Sequence, residues 1–450
     1  MNFVSPRLHC LLATSVVLAC GAEPGGASED TEDTEDTDVT SDVDDTGTPD
    51  TSTGDPAPTS GPDTDSGVEP PTTANDSDSE GSGGGSDSSH TPTTGDDTTT
   101  GTTGDDTTGA SEWDGEPLPD QPPGDWFWVD FPESRCRNDT TTGIGVRHGS
   151  SDKLVIYFEG GGACFNTSTC LLNDPFSNFG AIQFTAWAAG IGGGGIFDNA
   201  SEDNPVADWS FVYVPYCTGD VHAGDKDDAG VPGVFGAQQF VGYRNVALYL
   251  ERIVPSFAGA SHVLVTGESA GGFGAAFNYD RIADAWPGSQ VTLLDDSGPP
   301  FGDMYLAPCM QKEWRSLWNL DDTIPADCSE CFSPDGGGIS NLATYLATKH
   351  EGQKFGLYSS LQDAVIRTFF GYGLNNCLGG VMTGPQFETG LYDLRDNILG
   401  DDPSWASFFA PGSNHTITAS PLFYTTTVDG VRLVDWIAEL LAGQTSHVDP

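Results

Sequence analysis

The segment Gly267-Glu268-Ser269-Ala270-Gly271 restricts the fold of this chain more than any other feature. It follows a short apolar run, Val263 to Thr266, and precedes a Gly/Ala-rich stretch from Gly272 to Phe277. A serine with a glycine two positions away on either side, at the junction of a strand and a helix, is typical of a nucleophile elbow, because so sharp a turn tolerates little bulk. The pattern therefore predicts a nucleophilic serine, Ser269, at a helix N-terminus.

The first twenty residues predict export. They contain one basic residue, Arg7, and an apolar core from Leu11 to Ala19 that is too short to span a bilayer of about 30 Å. Val17-Leu18-Ala19-Cys20-Gly21 resembles a bacterial lipobox, so Cys20 is the predicted lipidation site, with an ordinary signal peptide cut nearby as the alternative. The predicted location is the cell envelope, at the outer membrane or cell surface, with the lipid at Cys20 as the sole membrane contact.

Residues 21–112 predict a disordered tether. They contain 25 Asp and Glu, no Lys or Arg, and little besides Thr, Ser, Gly and Pro. Such a composition cannot bury a core. An acidic calcium-binding or adhesive tail is the alternative, but the segment lacks a ligand-loop pattern.

Residues 113–450 form the predicted catalytic domain. They carry 42 acidic and 15 basic side chains, which argues against nucleic acid or an anionic membrane surface as a partner. The oligomeric state is not indicated by the sequence.

Eight cysteines in this domain predict disulfides, since their number is even and the chain is predicted to leave the cytoplasm. We expect Cys164 to pair with Cys170 and Cys328 with Cys331, and the other four to pair over longer range. The eight candidates are Cys136, Cys164, Cys170, Cys217, Cys309, Cys328, Cys331 and Cys377.

Apolar runs alternate with helical patterns along the domain, which predicts an α/β fold with a mostly parallel sheet and flanking helices. The segment of about 299–349 breaks this rhythm and is predicted to be an inserted cap, whereas Gly192 to Gly195 is predicted to be a flexible loop. The predicted strands are Leu154–Phe158, Phe211–Val214, Val263–Thr266, Val291–Leu294 and Phe355–Tyr358. The predicted helices are Gln238–Val254, Phe273–Trp286 and Val431–Leu441.

A serine nucleophile needs a base, usually histidine, which in turn needs a carboxylate to hold its tautomer. In this type of fold the order along the chain is Ser, acid, His. His415, in the loop before the final helix, fits that order best. The acid is left open by the residues: Asp363 follows the late strand, and Asp295 or Asp296 follows the earlier one.

An oxyanion intermediate needs backbone donors, and the glycine loop after Phe158 predicts them. A phosphate cradle is the competing interpretation, but no lysine follows at the required spacing. Asp220 and His222 are further candidates for lining the substrate pocket, and a hydrogen-bonded loop is the alternative interpretation for both.

Taken together, these blocks resemble the pectin acetylesterase and Notum carboxylesterase family. The blocks are Glu159-Gly160-Gly161-Gly162-Ala163-Cys164 with Cys170, Pro215 to His222, Gly267 to Gly272, and Asn414-His415-Thr416. The resemblance implies an α/β-hydrolase fold and a Ser269, His415 and Asp363 triad. It implies oxyanion donors at the amides of Gly161, Gly162 and Ala270, and neither a metal nor an organic cofactor.

The chain departs from that family at Ala163, where many members carry an aromatic residue, and this leaves the acyl group open. The predicted activity is hydrolysis of acyl esters, O-acetyl or short-chain, including those of polysaccharides. One alternative is a catalytically weak surface protein that binds glycan or lipid in the same pocket. Another is a serine peptidase with the same triad.

Overall fold

The computed structural model describes residues 113–400 and 402–450. The predicted signal sequence of residues 1–20, the lipidation site Cys20 and the predicted linker of residues 21–112 all lie outside the described residues. The boundaries predicted for these segments therefore stay predictions, and so do those of the cap, which lies within the described residues.

Nine strands form one large sheet in the spatial order β1-β2-β4-β3-β7-β8-β9-β10-β13. β2 is antiparallel to both of its neighbours, and every other neighbouring pair in this sheet is parallel. The nine strands are β1 (Phe127–Arg135), β2 (Thr141–Arg147), β3 (Lys153–Phe158), β4 (Ser210–Val214), β7 (His262–Glu268), β8 (Gln290–Asp296), β9 (Lys354–Ser360), β10 (Trp405–Ala410) and β13 (His447–Val448). Two small two-stranded sheets pair β5 (Lys226–Ala229) with β6 (Gln238–Phe240) and β11 (Thr427–Val428) with β12 (Val431–Arg432).

Ten α-helices accompany the strands within the described residues. They are α1 (Thr167–Leu172), α2 (Ala181–Ala188), α3 (Gly242–Ser256), α4 (Ala270–Ala285), α5 (Pro308–Trp318), α6 (Asn341–Lys349), α7 (Ile366–Gly371), α8 (Leu374–Cys377), α9 (Gly384–Leu394) and α10 (Leu433–Leu441). Among residues 113–400 and 402–450, none of them is long and apolar enough to cross a membrane.

The sheet is covered on both faces. Along β3, Ile156 and Phe158 belong to one apolar cluster, whereas Val155 and Tyr157 belong to a second cluster on the opposite face. Strands buried on both faces are apolar without alternation, which is why short continuous apolar runs predicted them. All five predicted strands lie within β3, β4, β7, β8 and β9, and the prediction of a mostly parallel sheet is confirmed.

Four strands of the large sheet, β1, β2, β10 and β13, were not predicted. β2 contains two glycines, which lower its apolar content and its strand propensity. Their small size is required, because a Cβ at Gly145 would lie 2.2 Å from the ring of Phe184. The sequence did not indicate β2 because packing against Phe184 of α2, a helix later in the chain, requires glycine where a strand usually has an apolar side chain.

The ends of two predicted helices were wrong. The first residues of Gln238–Val254 form β6, so α3 begins at Gly242, and it continues through Pro255 to Ser256. Val431 and Arg432 form β12, so α10 begins at Leu433.

The flexible loop predicted at Gly192 to Gly195 is also wrong. The structure forms two short 3₁₀ turns there, Ile191–Gly193 and Gly195–Phe197. A Cβ at Gly195, whose φ is +52°, would lie 2.3 Å from the Thr418 carbonyl oxygen. This tract is therefore packed against the loop that follows His415.

Four disulfides join all eight candidate cysteines of the domain. Two are local, Cys164–Cys170 and Cys328–Cys331, and these are the pairs expected from the spacing. Two close long loops, Cys136–Cys217 with a separation of 81 residues and Cys309–Cys377 with a separation of 68. Cross-links over such long loops stabilise mainly by restricting the unfolded chain, each by about 2 to 4 kcal/mol.

Candidate active site

Ser269 lies at a strained turn between β7 and α4. Its φ of 56° and ψ of −119° are sparsely populated for a residue with a side chain. Neighbouring glycines make the turn possible, since a Cβ at Gly267 would lie 2.3 Å from the Gly271 carbonyl oxygen and one at Gly271 would lie 2.0 Å from the Phe158 carbonyl oxygen. The backbone amide of Ser269 donates to the Asp296 carbonyl oxygen at 2.7 Å. This geometry is that of the elbow predicted from the sequence.

The glycine loop after β3 is held by its carbonyl oxygens. Asn173 Nδ2 donates to the Gly161 carbonyl oxygen at 2.8 Å, and the Tyr216 hydroxyl donates to the Gly162 carbonyl oxygen at 2.8 Å. Gly162 has a φ of +80°, a conformation that favours glycine. Because a peptide group is planar, holding these two carbonyls also fixes the orientation of the amides of the following residues, Gly162 and Ala163.

The amides of Gly161, Gly162 and Ala270 are available to a ligand. Across the residues that the structure describes, none of the three donates a hydrogen bond to a protein acceptor. Unpaired backbone donors at a loop and at a helix N-terminus suit a developing negative charge. These are the three donors that the family resemblance implied.

His415 and Asp363 are in direct contact. His415 Nδ1 donates to Asp363 Oδ2 at 2.8 Å, and Asp363 is fully buried. Burial lowers the pKa of the His415 imidazole, but the charge of Asp363 and this hydrogen bond outweigh burial, so the pKa is raised above its usual value. Nε2 has no hydrogen-bond partner among the described residues, so its lone pair is free to accept a proton.

The structure gives the two alternative acids other partners. Asp295 Oδ1 accepts from the Gly298 amide at 2.7 Å. Asp296 Oδ2 accepts from the amides of Ile417 and Thr418, just beyond His415, and not from the imidazole. Of the three candidates, Asp363 is the one that the fold brings to His415.

Asp220 and His222 are buried side chains that do not line the pocket. Asp220 accepts hydrogen bonds from the Thr218 hydroxyl and from the amides of His222 and Gly242. Burial raises the pKa of Asp220 to about 6 and lowers that of His222 to about 4. His222 Nε2 lies 2.8 Å from the carbonyl oxygen of Glu159, so this loop contacts the residue that directly precedes the glycine loop. These hydrogen bonds agree with the alternative interpretation, in which Asp220 and His222 belong to a hydrogen-bonded loop and not to the pocket lining.

An apolar pocket opens beside Ser269. Of the side chains that line it, only those of Ser269 and Trp314 carry a polar atom. Trp314 and Ile339 contribute from the segment predicted to be a cap, and Val221 contributes from between Asp220 and His222. The lining residues are Gly162, Ala163, Phe165, Val221, Ser269, Ala270, Phe273, Phe277, Trp314, Ile339, Ile366, Phe369 and Phe370.

Two glutamates beside the catalytic loops were not singled out by the sequence. Glu159 directly precedes the glycine loop, and its Oε2 accepts from the Tyr216 amide at 2.8 Å. Glu268 directly precedes Ser269. Burial raises the pKa of each carboxyl to about 7, and for Glu268 the charge of Asp296 adds to this effect. The sequence feature that could have identified both is a glutamate at the end of an apolar strand, next to a glycine motif.

One group of side chains has the composition of a metal site. Within the described part of the chain, Asp280, Asp284 and His350 have ligand atoms within 4.8 Å of one another. The Lys349 ammonium lies 2.7 Å from Asp280 and 3.0 Å from Asp284, so it already binds both carboxylates and neutralises part of their charge. We therefore assign this group as an ion-pair cluster.

The family model for pectinacetylesterase matches residues 133–341. Palmitoleoyl-protein carboxylesterase NOTUM from Mus musculus is 29% identical over 178 residues, which cover 36% of this chain and 33% of that protein. Palmitoleoyl-protein carboxylesterase notum2 from Xenopus laevis is 30% identical over 219 residues, which cover 44% of this chain and 43% of that protein. The chain thus spans from a third to under half of the length of these relatives.

A solved structure is similar over more of the chain. The crystal structure of the Wnt deacylase Notum from Drosophila superposes with a TM-score of 0.54 and 18% identity, covering 72% of this chain and 95% of that one. At this identity the likeness concerns the fold, and it confirms the predicted α/β-hydrolase fold.

Proposed function

We propose that this chain is a member of the pectin acetylesterase and Notum carboxylesterase family and that it hydrolyses carboxylic esters through Ser269, His415 and Asp363. The observation that carries the proposal is the 2.8 Å hydrogen bond between His415 Nδ1 and Asp363 Oδ2. A carboxylate on Nδ1 fixes the tautomer in which Nε2 is the base. The strained turn at Ser269 and the unpaired amides beside it support the same proposal.

The reaction has two steps. His415 Nε2 takes the proton of the Ser269 hydroxyl as its oxygen attacks the ester carbonyl carbon, and the amides of Gly161, Gly162 and Ala270 donate to the oxyanion. His415 then returns the proton to the leaving alcohol, which leaves an acyl group on Ser269. A water molecule, deprotonated by His415, hydrolyses this acyl-enzyme.

The pocket favours an apolar acyl group longer than acetyl. An acetyl methyl group requires only the space next to Ser269, whereas the lining continues to Phe277, Trp314 and Ile339. Apart from the Ser269 hydroxyl and the Trp314 indole, whose N–H has no hydrogen-bond partner, the lining side chains are apolar, so a hydrocarbon chain breaks no hydrogen bond between them. Each buried methylene contributes about 0.8 kcal/mol, or roughly fourfold in kcat/KM.

The test is hydrolysis of p-nitrophenyl esters from acetate to dodecanoate by purified residues 113–450. We expect kcat/KM to rise from acetate to at least hexanoate, and we expect Ser269→Ala to abolish turnover on every ester. An optimum at acetate would contradict the assignment of the pocket to the acyl chain and would favour the shorter esters predicted from the sequence. Turnover that persists in Ser269→Ala would contradict the serine mechanism, and tight binding without turnover would favour a binding protein.

We further propose that the protein is exported and anchored by a lipid at Cys20, with residues 21–112 as the tether. The lipobox-like segment and the four disulfides of the domain support this proposal, since disulfides persist in oxidising compartments. Fractionation of cells expressing the full chain tests it: the wild type should sediment with membranes and Cys20→Ala should not. Equal sedimentation of both proteins would contradict an anchor at Cys20.

A further inference from the structure

Asp296, at the end of β8, makes four hydrogen bonds that the proposed reaction does not use. Oδ2 accepts from the Ile417 amide at 2.9 Å, the Thr418 amide at 2.8 Å and the Thr418 hydroxyl at 2.8 Å. Oδ1 accepts from the Ser297 hydroxyl at 2.9 Å. The side chain is fully buried. One carboxylate oxygen thus binds three donors of the loop that carries His415.

The backbone of the same residue contacts the nucleophile. The Asp296 carbonyl oxygen accepts from the Ser269 amide at 2.7 Å, in the register of the parallel pair β7 and β8. Asp296 is therefore bonded both to the serine residue and to the segment two residues beyond the histidine. Since Ser269 and His415 are 146 positions apart in sequence, their relative placement depends on contacts of this kind.

The segment beyond His415 also has a strained backbone. Thr416 has a φ of +59°, a region that β-branched residues rarely adopt. Such a conformation persists only where the surroundings impose it. The donors that Asp296 binds belong to the next two residues, so its carboxylate is placed to impose the conformation. From the other side, the Ile196 amide donates to the Thr418 carbonyl oxygen at 2.8 Å.

We propose that Asp296 is a positioning residue, whose carboxylate holds the His415 loop against the backbone of the nucleophile elbow and so sets the distance between His415 Nε2 and Ser269 Oγ. This inference rests on the proposed hydrolysis. Asp296 touches no reacting group and acts through the loop. Without an acceptor at this position, Thr416 relaxes from its strained conformation and His415 moves with it.

The test compares Asp296→Asn with Asp296→Leu. Asparagine keeps an acceptor oxygen toward Ile417 and Thr418 and places its NH₂ near the Ser297 hydroxyl, whereas leucine has a similar volume and no acceptor. We expect kcat on p-nitrophenyl butyrate to fall about 100-fold in Asp296→Leu, the scale of a misplacement of about 1 Å, and less than about 10-fold in Asp296→Asn. KM should change little in both variants.

Thr292→Val is the matched control for lost stability. Thr292 is buried on the same strand, at the end away from Ser269, and its hydroxyl lies 2.9 Å from His262 Nε2. This variant should melt earlier than the wild type with kcat unchanged. If Asp296→Leu does not fold, Thr418→Val removes one donor from the carboxylate and should lower kcat about threefold to tenfold, a part of the 100-fold loss.

Hydrogen exchange separates this proposal from the proposed function. Amides in a peptide covering residues 411–420 should exchange faster in Asp296→Leu than in the wild type or in Thr292→Val, whether or not the protein hydrolyses esters. Labelling of Ser269 by a fluorophosphonate tests the serine mechanism independently. Wild-type kcat in a folded Asp296→Leu protein would overturn the positioning role. An Asp296→Asn protein that folds and is as inactive as Asp296→Leu would also overturn it. Catalysis would then require the negative charge at this position and not a hydrogen-bond acceptor.

Discussion

Asp363 uses its two carboxylate oxygens for different purposes. Oδ2 accepts from His415, whereas Oδ1 accepts from the amides of Val365 and Ile366 at 2.9 Å each, at the start of α7. An asparagine at this position keeps its oxygen on the two amides and turns its NH₂ toward the imidazole. Because a donor there favours the wrong tautomer, we expect this one-atom substitution to lower catalysis and to spare the fold.

We therefore expect Asp363→Asn to lower kcat by up to about 10⁴-fold while the melting temperature changes little. Steady-state hydrolysis of p-nitrophenyl butyrate and a thermal melt measure the two effects. Asp295→Asn, at a carboxylate that is also buried but faces Gly298, is the control and should retain its turnover. Near-normal turnover in Asp363→Asn would remove Asp363 from the triad.

The pKa of His415 predicts the acid limb of the pH profile. The base must be neutral to accept a proton, and Asp363 holds the pKa of His415 above its usual value of about 6.5. As the pH falls through this raised pKa, kcat/KM should fall, with its midpoint above pH 6.5. In Asp363→Asn, the loss of the negative charge should move the midpoint of the residual activity to lower pH. Titration of released acid between pH 5 and 9 measures both profiles, and a wild-type midpoint below 6.5 would contradict the prediction.

At the scale of elements, the glycine loop after β3 is built for close packing. A Cβ at Gly161 would lie 2.7 Å from Tyr216 Cδ1 and 3.0 Å from Phe176 Cγ. The Tyr216 hydroxyl donates to the Gly162 carbonyl oxygen and accepts from the Val221 amide. Any side chain at position 161 therefore displaces the ring that orients the next peptide group.

We expect Gly161→Val to lower turnover by about 10² or more, the scale of one lost oxyanion donor. The melting temperature should fall as well, because the rings of Tyr216 and Phe176 must move. Gly193→Val is the control from the other glycine tract, where a Cβ meets no atom within 4 Å, and it should keep its turnover. Unchanged turnover in Gly161→Val would mean that the oxyanion is bound elsewhere.

At the scale of the whole molecule, buried carboxyl groups couple stability to pH. Burial raises the pKa of Asp295 to about 8 and that of Asp220 to about 6, whereas an aspartate in the unfolded chain has a pKa of about 3.9. Between these values the folded state holds protons that the unfolded state has released. A rise in pH therefore favours the unfolded state across this window, and stability is greatest at its acidic end.

The melting temperature of residues 113–450 should accordingly fall between pH 5 and pH 8, and it should fall less in Asp295→Asn. Asparagine can still accept from the Gly298 amide, but it cannot ionise. Because 42 acidic side chains repel one another in both proteins, the difference between the two pH profiles is the quantity to measure. Identical profiles would show that Asp295 does not hold its proton in the folded state.

The acidic segment gives a second prediction for the whole chain. With 25 acidic and no basic side chains and few apolar ones, residues 21–112 cannot contribute to a core. Deleting them should leave esterase activity and melting temperature nearly unchanged, as measured on the same ester and by the same melt. A loss of several degrees would indicate that the segment packs on the domain.

The sequence by itself determined the parts of this protein that are encoded in contiguous residues. A serine with a glycine two positions before it and another two positions after it marks the turn from β7 to α4, because a Cβ does not fit at either glycine. The glycine loop after β3 and the five central strands were predicted for the same reason: each has a local pattern. The local disulfides Cys164–Cys170 and Cys328–Cys331 could be predicted from the spacing of the cysteines alone.

Only the tertiary structure decided which distant residues meet. The order of the parallel strands brings Asp363, and neither Asp295 nor Asp296, to the imidazole of His415, although all three aspartates follow a strand. It also pairs Cys136 with Cys217 and Cys309 with Cys377. It buries Asp220 and His222 in a hydrogen-bonded loop, and it bonds Asp296 both to the Ser269 amide and to the loop that carries His415. No local pattern carries this information, because a contact between segments more than 50 residues apart depends on how every element between them packs.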